Sequence, residues 1–283
     1  MPQAPLTRLL ERARAEGTAI GAMNVITLEH AEAIVIGAEA ADRPVVIQLS
    51  ENTVAYRGSL GPVGLACLRI AEESSTEVCV HLDHATDPEL VRAAVDLGFD
   101  SVMFDASTRP HAENVRTTAA IAAWCHDHGI AVEAELGEVG GKDGVHAPGV
   151  RTDPGDARRF VEATGVDALA VAVGSSHAMV TRDARLDDDL IARLHAAVPV
   201  PLVLHGSSGV PDDGLRSAVR AGVRKVNIAT HLNLQMTRAI TTVVDEGRAD
   251  PRIYLGAGRD AMALEVQRIL MLLSINSEAS IDR

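Results

Sequence analysis

Residues 78–91, VCVHLDHATDPELV, open as an unbroken apolar run, break into His81-Leu82-Asp83-His84 and then enter a helix. Asp87-Pro88 supplies the cap and first-turn proline of that helix. A strand that is apolar at successive positions is buried on both faces, as in a parallel sheet covered by helices. Polar side chains at the end of such a strand are costly unless partnered or bound. Two imidazoles and a carboxylate there need either a hydrogen-bond network or a chemical task.

The same grammar repeats along the chain. Short runs rich in Val, Ile, Ala and Leu lie near 18–24, 44–49, 78–83, 100–104, 130–135, 168–173, 201–205 and 223–228. Between them the apolar residues take helical spacing, and several of these segments stop at a glycine. Eight strand–helix repeats predict an α/β fold, a closed (β/α)8 TIM barrel rather than an open doubly wound sheet. Extra helices are expected at both ends: one near 5–16, and a largely helical tail from 231 onward, interrupted by GRADPRIYLGAGRD. No linker or composition shift divides the chain, so residues 1–283 read as a single barrel domain. The longest connection, GEVGGKDGVHAPGVRT at 137–152, reads as a functional lid.

Composition narrows the partners. Hydrophobic residues make up 47% of the 283 and aromatics only 2%, so small aliphatic side chains fill the core. A net charge of −13 without a basic run argues against nucleic acid or an anionic membrane as partner. Cys67, Cys79 and Cys125 have no metal-type spacing and read as packed, reduced thiols. The amphipathic start has no apolar leader run, and no apolar stretch reaches the length of a membrane span. A cytoplasmic protein is expected.

Barrel chemistry gathers at the C-terminal ends of the strands. Those ends carry Asn24, Ser50, Asp83-His84, Asp105, Glu135, Ser176-His177, His205-Gly206-Ser207-Ser208 and Asn227. Three imidazoles from strands three, six and seven suit a catalytic zinc or similar divalent ion; individually, each is equally at home as a hydrogen-bonded strand-end residue. Asp83 reads as a proton carrier, as a cap of the next helix, or as the group holding a histidine in one tautomer. His81 points to the same face and reads as packing or support, and His30 as structural. His111, His126, His128, His146, His195 and His231 read as solvated or capping. The small-residue turns HGSSG at 205–209 and NIATH at 227–231 follow strands seven and eight, where barrels commonly bind phosphate.

In this order the residues resemble the class II, zinc-dependent fructose-bisphosphate aldolase family, including its tagatose-bisphosphate branch. The matching pieces are MNV at 23–25, HLDHA at 81–85, SVMFDAS at 101–107, ENVRTT at 113–118, ELGEVGG at 135–141, AVAVGSSHA at 170–178, PLVLHGSSGVPD at 201–212, KVNIAT at 225–230 and DPRIYLGAGRDAM at 250–262. The resemblance implies one zinc per chain on His84, His177 and His205, acting as a Lewis acid on the ketose carbonyl and adjacent hydroxyl. It implies Asp83 as the acid/base group for the C4 hydroxyl. It places a phosphorylated sugar on Gly206, Ser207, Ser208, Asn227, Ala229 and Thr230, with Asn24 and Ser50 beside it. Asp105 and Glu135 match positions near the metal and read as accessory groups. Arg252 matches an arginine that reaches the distal phosphate from a neighbouring subunit, which implies a homodimer or homotetramer.

Several positions depart from the family. Ala178 stands where a glycine backbone usually helps hold phosphate and a monovalent cation; a positive φ there would strain alanine by about 1 kcal/mol. Ala229 follows the tagatose-type pattern, the lid carries Lys142-Asp143 in place of paired acids, and Asn52 replaces a glycine. Asp143 is either a solvated loop carboxylate or the base that exchanges the C3 proton. The expected activity is reversible cleavage of a tagatose- or fructose-type ketose 1,6-bisphosphate to dihydroxyacetone phosphate and an aldehyde. The alternatives are a different pathway-specific phosphorylated ketose, a metal-free barrel isomerase or synthase, and a non-catalytic barrel that binds sugar phosphate.

Overall fold

The structure is a computed structural model that describes residues 3–136, 151–176 and 181–274. Eight parallel strands, β1 (Ile20–Asn24), β2 (Val45–Ser50), β3 (Val78–Ala85), β4 (Ser101–Phe104), β5 (Ala131–Leu136), β6 (Ala168–Val171), β7 (Leu202–Leu204) and β8 (Val223–Ile228), close into a barrel in chain order. β8 pairs back onto β1, with Ile20 opposite Lys225 and Ala22 opposite Asn227. Each expected strand is present, and the TIM-type barrel stands.

The barrel interior is layered because successive residues of a strand face opposite sides. Ile20, Ala22, Val46, Cys79, Met103, Ala131 and Val203 form a buried apolar layer at the lower end. Helix α1 (Leu6–Glu16) closes that end with Leu6, Leu9, Leu10 and Ala13, one helical stripe buried in the same cluster. Burial drives the Cys67 thiol up to about 12 and, with the nearby Asp167 charge, raises Cys125 too, and all three cysteines are buried and free of disulfides, as inert packed thiols should be.

The outer helices are α2 (Leu28–Ala41), α3 (Glu51–Arg57), α4 (Gly61–Glu73), α5 (Pro88–Leu97), α6 (His111–Asp127), α7 (Pro154–Thr164), α8 (Asp188–Ala197) and α9 (Asp212–Ala221). Two more, α10 (Thr230–Asp245) and α11 (Pro251–Leu273), follow β8. Helix α11 touches α9, α2 and β1 and so completes the ring, with α10 stacked on it. The tail break is shorter than the sequence predicts. Asp250 caps Arg252 N at 3.0 Å, Pro251 starts the helix, and Gly256 and Gly258 lie inside it. A Cβ on Gly258 would come within 2.8 Å of Ile240, so this glycine is the place where α10 and α11 meet.

His231 also differs from its expected solvated or capping role. Its Nε2 lies 2.6 Å from Glu265, which Arg268 also engages at 2.7 Å, and Arg268 continues to Asp212 and Arg182. Burial pushes the Glu265 carboxyl up, but the hydrogen bonds and charges of His231 and Arg268 outweigh it and bring it from 4.5 to about 2. A depressed folded-state carboxyl stabilises the fold fully above its unfolded value and loses that contribution as pH falls through the folded one. Thermal melts should therefore show acid destabilisation between about pH 4.5 and 2 that Glu265→Gln visibly flattens. An unchanged pH slope in the variant would remove this cluster as its source.

Among the described residues no helix is long and apolar enough to cross a membrane.

Candidate metal and sugar-phosphate site

Strict alternation would send Asp83 and His84 to opposite faces of β3. The pairing with β4 slips between Leu82 and Ala85, a bulge, and His84 takes a left-handed conformation with φ 51°. Bulges re-aim side chains at functional rims, and a non-glycine residue held at positive φ is a mark of such sites. Both side chains thereby reach the mouth.

His84 Nε2 and His205 Nδ1 stand 3.0 Å apart, with an Asp83 oxygen 4.0 Å from His84 Nε2. The opposite ring nitrogens are each backed by a carboxylate: His84 Nδ1 by Asp105 at 2.7 Å and His205 Nε2 by Glu133 at 2.8 Å. Asp105 is itself anchored by Ser107, whose hydroxyl donates at 2.6 Å. A carboxylate behind each imidazole is what orients metal-ligating histidines. Ligand atoms of Asp83, His84 and His205 lie within 4.8 Å of one another, as do those of His84, Asp105 and Glu135. This donor set suits zinc, which takes imidazole nitrogen and carboxylate oxygen. His177, Ala178 and Asp143 lie outside the described residues.

Asp83 is buried and accepts from Asn24 Nδ2 at 2.9 Å and Asn227 Nδ2 at 3.4 Å. Burial raises its carboxyl, yet the electrostatic influence of the neighbouring His84, His205 and Lys225 side chains and the Asn24 hydrogen bond bring it below the usual carboxylate range. An ionised Asp83 is an acceptor-only group ready to take a proton. Its other reading, as a helix cap, does not hold: Asp87 caps α5, accepting from Glu89 N at 2.9 Å.

A cavity of about 430 Å³ opens over Asp83, His84 and His205 and runs to Ser208, Ala229 and Thr230. Gly206 has φ 65°, and a Cβ there would lie 2.6 Å from the Ser176 backbone, so only glycine lets the turn after β7 sit against the turn after β6. Ser208 Oγ accepts from Ala229 N and His231 N, each at 3.3 Å, and Ala229 provides no capping side chain for α10. The start of a 16-residue helix facing this cavity is a natural anion seat.

Other expected positions have more structural roles. The Ser207 hydroxyl donates to the Asn227 carbonyl, and Ser207 is not part of the cavity wall. Ser50 lines the cavity and also caps α3 through Thr53 N at 3.2 Å. Arg252 is 90% exposed, pairs with its neighbour Asp250 and does not line the cavity within one chain. His30 bonds Asn233 at 3.1 Å, tying α2 to α10 at the rim. His81 is buried with Nδ1 2.8 Å from Ser101 Oγ.

Sequence reasoning missed the polar layer just beneath the mouth: Gln48, Glu133 and Lys225, all fully buried. The signal was present. Each lies two residues before a recognised strand-end residue, Ser50, Glu135 and Asn227, and so faces the same interior.

The mouth of this closed parallel barrel thus gathers paired, carboxylate-backed imidazoles and a buried aspartate beside the start of a helix, donor groups of the kind that hold a metal ion. The family model for class II fructose-bisphosphate aldolase matches residues 4–278. The fructose-bisphosphate aldolase of Giardia intestinalis is 37% identical over 93% of this chain and 90% of its own. The 6-phospho-5-dehydro-2-deoxy-D-gluconate aldolase of Shouchella clausii is also 37% identical, over 93% and 92%. The crystal structure of the YdjI aldolase from Escherichia coli K12 superposes with a TM-score of 0.87 at 30% identity, covering 98% of this chain and all of that one. The chain belongs to the class II fructose-bisphosphate aldolase family and is an aldehyde-lyase.

Proposed function

We propose that this aldolase uses zinc to cleave a ketose 1,6-bisphosphate, of tagatose or fructose type, reversibly to dihydroxyacetone phosphate and an aldehyde. The observation that carries this reading is the cavity itself, which joins Asp83, His84 and His205 to Ser208 and the first turn of α10. His84 and His205, with His177, which follows β6 in the sequence, would hold the zinc. Bound there, zinc supplies Lewis-acid polarisation of the ketose oxygens.

The chain's own residues do the rest. Gly206, Ser208 and the first turn of α10 seat the phosphate that becomes part of dihydroxyacetone phosphate. Asp83 Oδ1 or Oδ2 takes the C4 hydroxyl proton as the C3–C4 bond breaks and returns it in condensation. Asn24 and Asn227 hold that carboxylate in place by donating to its two oxygens. A second reading, a phosphorylated ketose whose aldehyde half carries no phosphate, is supported by the uncharged Asn52 and Tyr56 on the cavity wall and by the name of the Shouchella relative.

Arg252 is proposed to reach the distal phosphate of a neighbouring subunit in a homodimer or homotetramer. Arg252→Ala should then raise KM for a bisphosphate about 10-fold or more, the worth of a charge-assisted contact, while sparing a monophosphate. Equal effects on both would make the residue structural.

The deciding experiment is metal analysis beside a dihydroxyacetone-phosphate release assay on both bisphosphates, with and without chelator. Stoichiometric zinc and chelator-sensitive release are expected, and the faster epimer names the substrate. Bound zinc without release from either sugar would favour the second reading, and release unaffected by chelation would overturn the zinc assignment.

A further inference from the structure

Lys225 is fully buried at the centre of the barrel, and three oxygens surround its ammonium. They are Glu133 Oε2 at 2.8 Å, Asn227 Oδ1 at 2.9 Å and Gln48 Oε1 at 3.5 Å. An ammonium donates through three hydrogens and accepts through none. Any amide facing it must therefore present oxygen and turn its NH2 the other way. For Asn227 that other way is Asp83 Oδ1. For Gln48 it is Asn24 Oδ1 at 2.8 Å, which in turn directs the Asn24 NH2 to Asp83 Oδ2.

Glu133 transmits the same polarity to the metal site. One of its oxygens is held by Lys225 and the other faces His205 Nε2 at 2.8 Å. A carboxylate only accepts, so His205 Nε2 must carry its ring proton, leaving the Nδ1 lone pair directed toward His84. Asn227 Nδ2 also lies 3.2 Å from His205 Nε2, but that nitrogen is itself a donor aimed at Asp83, and the shorter carboxylate contact decides the tautomer.

We propose that Lys225, acting through Glu133, Asn227 and Gln48, is the positioning residue that sets donor–acceptor polarity for the whole site: it selects the metal-binding tautomer of His205 and turns both amide donors onto Asp83. The metal half of this inference rests on the zinc reading above; the tautomer does not.

The test is zinc affinity by chelator competition. In Glu133→Gln, Lys225 still claims the side-chain oxygen, so the new NH2 faces His205 Nε2 and forces the ring proton onto Nδ1. Zinc should bind about 10- to 100-fold more weakly, and more weakly than in Glu133→Ala, which imposes no donor. In Lys225→Met/Glu133→Gln the amide is free to turn its oxygen to His205, and no buried charge is left unpaired. The double variant should recover most of the lost affinity. Wild-type affinity in Glu133→Gln, or no recovery in the double variant, would overturn the proposal, because a purely structural pair predicts that the second substitution adds damage.

Nitrogen-15 histidine spectra of the metal-free wild-type protein give a separate readout that needs neither a variant nor activity. A His205 ring protonated on Nε2, with or without a proton shared between Nδ1 and His84, supports the inference even if zinc is not the ion, and a ring protonated on Nδ1 alone overturns it.

Discussion

His205→Ala is expected to lose both the metal and the activity while the barrel stays folded. The side chain sits at the end of a three-residue strand, with its Nδ1 directed at His84 and its Nε2 at Glu133. Removing it takes away one proposed ligand and leaves Glu133 still paired to Lys225, so no buried charge is stranded. Lewis-acid assistance is worth several kcal/mol, and each 1.36 kcal/mol is tenfold in rate. Turnover should fall by about 10³-fold or more, with zinc content near zero after dialysis against a weak chelator. Full zinc content in the variant would show that the ion is held elsewhere.

Asp83→Asn should separate chemistry from metal binding. The amide is nearly isosteric and can still accept from Asn24, with its NH2 turned to the longer Asn227 contact of 3.4 Å, but it cannot take up the C4 hydroxyl proton. A positioned general base contributes about 10²–10⁴-fold, and kcat should fall within that range with KM and zinc content near those of the parent. Near-normal turnover would take Asp83 out of proton transfer and leave it as a support for His84. Loss of zinc together with activity would mean that Asp83 is itself a ligand, a role its place in the cluster with His84 and His205 makes testable.

These two outcomes bear differently on what was readable in advance. His205 and Asp83 are legible because each is a polar residue at the end of an apolar strand, and such a residue needs a partner or a task. The same argument extends one step further down the barrel. Glu133 in AVEAEL and Lys225 in VRKVNI are charges inside strands, and period-two alternation places them beneath Glu135 and Asn227. That these two charges would pair with each other, from strands five and eight, is set by barrel closure, which brings distant segments across one interior.

Eight apolar runs separated by helical segments determined the closed parallel barrel and located its reactive rim, because strand burial and connection length leave few other ways to cover both faces of such a sheet. Strand-end polarity determined most of the residues at the mouth. Only the tertiary structure decided which way they face. The bulge and left-handed backbone at His84 put two consecutive residues on one side, Gly206 closed against Ser176, and the hydroxyl of Ser207 went to the Asn227 carbonyl instead of the cavity. Tertiary structure likewise showed Arg252 exposed at the start of α11, away from its own chain's cavity. Residue type sets what a side chain can do, but register, backbone handedness and the donors and acceptors around it set where it acts. Those arise from contacts between segments far apart in the chain.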